Sequence, residues 1–160
     1  MQINKQDIIT RKIDKSKDIP LIKEISVKCF PDEDAFEIVN ALFDIEHFYV
    51  AEFVKEKKVV GYIAFGIYSI RTSHIMILAV HPDYQQNGIG SILLSMVTDI
   101  AEKLPITKIR LEVRTTNILA IKFYEKYNFD IITKLESYYD DASDAYLMTR
   151  DTRKETKEKD

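Results

Sequence analysis

Residues 75–80 read Ile-Met-Ile-Leu-Ala-Val, an unbroken apolar run that suits a strand covered on both faces. The polar segment HPDYQQNGIGS follows directly. Apolar residues at Ile92, Leu93, Met96, Val97 and Ile100 then trace one stripe of a helix, which the spacing starts near Ser91. Strand, loop and helix in that order make an α/β building unit. Glycine sharpens the picture. The chain has four glycines in 160 residues, where average usage of about 7% would give roughly eleven. Two of them, Gly88 and Gly90, sit in this loop; Gly61 and Gly66 read as ordinary strand glycines.

Composition sets the outer bounds. With 46% hydrophobic and 31% charged residues, there is enough apolar surface to offset chain entropy in one domain. No run reaches the roughly 18 to 20 apolar residues of a membrane span, and the first residues show no secretory pattern. These absences point to a cytoplasmic protein with no membrane partner. The formal charge of −3 argues against nucleic acid, whose partners are normally basic. Cys29 is the single cysteine. It excludes an internal disulfide, makes no zinc site alone, and reads as a buried helix residue.

Along the chain, residues 8–13 suit a strand. Asp18 precedes a helical pattern through Ile22, Ile25 and Cys29 that Pro31 ends. A second helix is expected over 34–43, and strands over 48–54 and 59–69 flank the charged turn KEKK. After Pro105, Ile109, Leu111 and Val113 alternate with Arg110, Glu112 and Arg114, a strand over 108–115. Asn117 suits the cap of a helix running to about residue 127. Residues 129–136 and 145–149 give two last strands, and from Asp151 the sequence carries no apolar residue, a charged, disordered tail. The order β-α-α-β-β-β-α-β-α-β-β predicts a single α/β domain over 1–150. Its sheet is mixed, mostly antiparallel, of about seven strands, with helices on both faces.

A helix start offers unpaired backbone N–H groups and a positive dipole end, and glycine lets an anion come close. The loop could therefore cradle a phosphate or pyrophosphate. It lacks the lysine of a P-loop and the third glycine of a dinucleotide fingerprint. On the local pattern alone, Asn87-Gly88 as a plain turn and Gly90 as an aid to helix packing stay equally open.

The wider pattern resembles the GNAT N-acetyltransferase superfamily. Gln85, Gly88 and Gly90 fill the fixed positions of its acetyl-CoA loop, [QR]-x-x-G-x-[GA]. Downstream, LEVRTTNILAIKFYEKYNF looks like its second motif, with Asn117, Ala120, Tyr124 and a Tyr127-Asn128-Phe129 exit where a glycine is usual. Leu111-Glu112-Val113-Arg114 is similar to the ribosomal-protein-alanine N-acetyltransferases. Residues 137–146 resemble the last hairpin of N-terminal (Nα) acetyltransferase catalytic subunits.

The resemblance implies direct transfer from acetyl-CoA to a primary amine, with no metal. Leu78, Ala79 and Val80 would pair with the pantetheine arm. Gln85, Gln86, Asn87, Gly88, Ile89, Gly90 and Ser91 would hold the pyrophosphate, and Asn117 and Tyr124 would complete the cofactor set. Tyr124 would protonate the departing thiolate, and Glu112 would act as general base, with His81 a substitute. Tyr138 and Tyr139 would bond the acceptor peptide, with Phe30 shaping the groove; acidic residues at 32–34 and 140–141 would draw a cationic amine. His47 and His74 carry no motif.

Reference pKa values favour an α-amine as acceptor. Deprotonating one at pH 7 costs about 1 kcal/mol, against roughly 4.6 kcal/mol for a lysine side chain, so a single carboxylate is better matched to a protein N-terminus. A polyamine, an aminoglycoside or another small amine is the alternative acceptor, and a CoA-binding module without catalysis the alternative function. Monomer and homodimer are both open.

Overall fold

The computed structural model describes residues 2–153. Seven strands and four α-helices follow one another in the predicted order: β1 (Ile8–Lys12), α1 (Lys15–Cys29), α2 (Ala35–Leu42), β2 (His47–Phe53), β3 (Lys58–Ser69), β4 (Thr72–Val80), α3 (Ile89–Glu102), β5 (Lys108–Arg114), α4 (Ile118–Lys126), β6 (Asp130–Leu135) and β7 (Ala145–Asp151). The sheet order is β1-β2-β3-β4-β5-β7-β6. The β4–β5 ladder is parallel; β1–β2, β2–β3, β5–β7 and β6–β7 are antiparallel. Among the described residues two compact units divide the chain, one of residues 2–66 and 76–99, the other of 67–75 and 100–153.

In the first unit, helices cover both faces of β2 and β3. Val50 lies opposite Tyr62, and Phe48 opposite Ala64; these four pack with Ile22 and Ile25 of α1 and Val39 and Leu42 of α2. Gly61 belongs to the other face, since residues alternate along a strand. A methyl there would stand 3.0 Å from the Ala79 carbonyl oxygen and 3.2 Å from Leu93 Cδ1. Gly61 is therefore no ordinary strand glycine: its missing side chain lets α3 lie close on β3. Gly66 meets nothing within 4 Å and fits the plain reading.

Two expectations need correction here. Helix α1 starts a turn earlier than predicted, capped by Asp14, whose side chain accepts from Ser16 N. Asp18 lies in the first turn, 2% exposed, where Arg11 grips it with two bonds of 2.7 and 3.0 Å. The ion pair and a bond from Asp14 N at 2.7 Å hold the carboxylate inward, and Pro20 lies inside the helix. The apolar run in β4 is not covered on both faces either. Ile75 and Ala79 are buried, but Met76 is 44% exposed. Cys29 is half-buried, with its Sγ on the Val80 carbonyl at 3.2 Å.

The second unit is built on β5. Ile109, Leu111 and Val113 are buried, which leaves Arg110, Glu112 and Arg114 together on the opposite face. Asp151, predicted to open the tail, instead closes β7 opposite Lys108. Thr152 is held by bonds to Thr107 O and Ile106 O. The rest of the expected tail, residues 154–160, lies outside the described residues.

Candidate active site

The loop between β4 and α3 is shaped by its own side chains. Gln85 Nε2 donates to Val80 O (2.9 Å), and Asn87 Nδ2 donates to Tyr84 O and Gln85 O. Asn87 Oδ1 accepts from Ile3 N at 3.1 Å, tying the start of the chain to the loop. Gln86 and Gly88 take positive φ values of 61° and 78°, and α3 begins at Ile89, two residues before the expected start. At the place of a Gly88 Cβ, Lys5 Cε is 3.3 Å away. A left-handed glycine at the foot of a long helix, with the neighbouring amides fixed by side chains, fits the diphosphate of a CoA ester. The Val80 carbonyl accepts from both Cys29 Sγ and Gln85 Nε2.

His81 is buried, with Nδ1 accepting from Asp83 N at 3.1 Å and Nε2 against Lys28 Nζ at 2.8 Å. With Nδ1 as acceptor, Nε2 carries a hydrogen, which Glu24 Oε1 at 3.4 Å can accept and the Lys28 ammonium cannot. Phe30 caps α1 and packs, partly buried, against the core of the first unit. Asp34 caps α2, accepting from Phe36 N and Glu37 N, so one of the expected acidic clusters is partly structural.

On the polar face of β5, Glu112 is the centre of a cluster. His74 Nε2 lies 2.6 Å from its Oε2, and Arg110 Nη2 donates to its Oε1 at 2.6 Å. The Glu112 side chain is only 7% exposed. Burial alone pushes its carboxyl upward, but the hydrogen bonds from His74 and then Arg110 outweigh it and hold the group below its ordinary range. Burial, reinforced by the Glu112 charge, raises the Tyr138 phenol. The Tyr138 ring meets Tyr139 edge-on at 5.0 Å, and Arg114 stacks over Tyr139 at 4.0 Å.

Tyr124 is held by the end of α4. Asn117 caps the start through Ala120 N. At the other end Phe129 N bonds Tyr124 O and Asn128 N bonds Glu125 O, with Asn128 at φ 64°. This is a Schellman stop in which asparagine takes the left-handed place. The Phe129 ring packs on Tyr124 at 5.5 Å. Burial, then the nearby Tyr139, raises the Tyr124 phenol well above its usual value.

The second unit thus brings Glu112, Tyr138, Tyr139 and Tyr124 into one chain of contacts and electrostatic couplings. It also adds two residues without a motif, His74 and Arg110. Arg110 was visible only as the polar partner of Glu112 in an alternating strand. His74 had no local signal, because its role comes from pairing across β4 and β5.

Comparison with known proteins gives the family. The profile of the Acetyltransferase (GNAT) family matches residues 19–129, and the chain belongs to that family. An N-alpha-acetyltransferase of Saccharolobus solfataricus is 35% identical over 127 residues, 68% of this chain and 75% of that protein. The structure of Ard1 from Thermoplasma volcanium superposes with a TM-score of 0.83 at 31% identity, covering 91% of this chain and 97% of that one. Arabidopsis thaliana Naa50, in complex with the bisubstrate analogue CoA-Ac-MVNAL, gives a TM-score of 0.71 at 28% identity, covering 90% and 98%. The protein is an acyltransferase of this family.

Proposed function

We propose that the chain moves the acetyl group of acetyl-CoA directly to the α-amine of a protein N-terminus. The observation that carries this reading is the bonded His74–Glu112 pair beside Tyr138 and Tyr139. The names of the N-alpha-acetyltransferase relative and of the CoA–peptide complex support it. Acetyl-CoA supplies an acetyl group activated as a thioester. Gln85, Gln86, Asn87, Gly88, Ile89, Gly90 and Ser91 would hold its diphosphate, chiefly through backbone amides. Leu78, Ala79 and Val80 would bind the arm.

A carboxylate only accepts hydrogen bonds, so Nε2 of a neutral His74 carries the hydrogen and Nδ1 keeps its lone pair. The amine forms its bond to the acetyl carbon as the bond to sulfur breaks. His74 Nδ1 takes the amine proton and Glu112 stabilises the resulting imidazolium. Tyr124 donates to the departing sulfur. With its phenol raised above the reference of about 10, full proton transfer to a thiolate near 8.5 is uphill, so Tyr124 acts mainly as a hydrogen-bond donor. Tyr138 and Tyr139 would hold the first residues of the peptide.

A small-amine acceptor is the second reading, favoured by Phe30, which packs on the core instead of standing clear as a groove wall. The test is a transfer assay with acetyl-CoA on short free-N-terminal peptides, a polyamine and an aminoglycoside. Turnover on peptides well above the small amines is expected. Turnover confined to the small amines would overturn the protein acceptor.

A further inference from the structure

Arg110 belongs to no motif, yet its bond to Glu112 is as short as that of His74, 2.6 Å in each case. Two residues apart on one strand, Arg110 and Glu112 share a face, so the guanidinium can reach along β5 to Oε1. It is itself stacked on the Tyr68 ring of β3, 4.3 Å from Cζ to the centroid, and Tyr68 also meets His74 edge-on at 6.1 Å. Arg110 Nε is buried without a hydrogen-bond partner among the described residues. An orphaned donor is costly, so the stack and the Glu112 bond outweigh that cost in holding the guanidinium where it is.

The geometry points to Arg110 as a positioning residue for proton transfer: it occupies Glu112 Oε1 and leaves Oε2 aimed at His74. The inference rests on the proposed role of the His74–Glu112 pair. The groups facing Glu112 are His74 from β4, Arg110 from its own strand and Tyr138 from the turn before β7; Arg114 shares the face two residues on but pairs with Asp141, and Leu147 opposite on β7 brings no charge. Of these only arginine stays charged at every working pH. Without it the carboxylate would lose one of its two bonds, and its charge would fall on the imidazole alone.

The test is the pH profile of kcat/KM for the wild type, Arg110→Met and Arg110→Lys on the best peptide. His74 must be unprotonated to take the amine proton, and loss of the Arg110 cation favours its imidazolium, so loss of activity on the acid side should begin about one pH unit higher in Arg110→Met, roughly a tenfold deficit there relative to the alkaline plateau. KM for acetyl-CoA should stay within about twofold, and Arg110→Lys should recover much of the displacement. A plateau lowered without displacement of the acid limb would mark a merely structural role and overturn the inference. If Arg110→Met does not fold, Tyr68→Leu serves. Tyr68 is 62% exposed, and loosening the stack should move the limb the same way by less; an unmoved limb overturns the proposal. A wild type that binds acetyl-CoA and acetylates no amine would overturn the enzymatic reading itself, a result distinct from an active wild type with unmoved variants.

Discussion

In the proposed reading Gly88 would serve both backbone and ligand. Its φ of 78° is one that a side chain occupies at a cost of about 1–2 kcal/mol. Gly88→Ala should lower stability by about that amount and weaken acetyl-CoA binding by at least about tenfold. Thermal unfolding and titration calorimetry separate the two effects. Binding unchanged in a folded variant would remove the loop from the cofactor site. Tyr124 permits a cleaner substitution, because no hydrogen bond of its hydroxyl is part of the fold described above. Tyr124→Phe should cut kcat about 100-fold with little change in KM, read from steady-state kinetics; an unchanged kcat would return Tyr124 to the core.

At the scale of elements, α4 depends on how it stops. Asn128 holds the left-handed position at φ 64°, and its Nδ2 is buried without a partner among the described residues. Asn128→Gly removes both costs and should raise stability by about 0.5–1 kcal/mol, seen as a higher midpoint in urea. A lower midpoint would mean that the amide has a partner. This stop was legible in the sequence, since Tyr127-Asn128-Phe129 stands where such helices end. The start of α1 was not. Asp18 looks like a cap by local pattern, and only the long-range grip of Arg11, seven residues back on β1, explains why it is buried instead. The exposed Met76 escaped prediction for a related reason: an apolar run reports composition, not which neighbours the fold supplies.

For the molecule as a whole, element order could be read from spacing, and the shared face of Arg110, Glu112 and Arg114 from the alternation along β5. What His74 and Arg110 touch could not, because only pairing of β4 with β5 and the return of β3 create those contacts. Charge adds a global expectation. Asp14, Glu24, Glu112, Asp141 and Asp144 all titrate below their ordinary values in the folded protein. Folded values that lie lower contribute stability above the unfolded range of about 3.9–4.3 and lose it as pH falls through them. The urea midpoint should therefore be nearly level from about pH 6 to 5 and fall steadily below about 4.5. A midpoint constant down to about pH 3 would contradict these pairings.

The acceptor is the centre of the account. A single peptide bearing both a free N-terminal α-amine and a lysine side chain, incubated with acetyl-CoA and mapped by fragmentation mass spectrometry, tests it most directly. Acetyl on the α-amine, with the lysine unmodified in the early time course, is the predicted result. Acetyl on the lysine alone would contradict it.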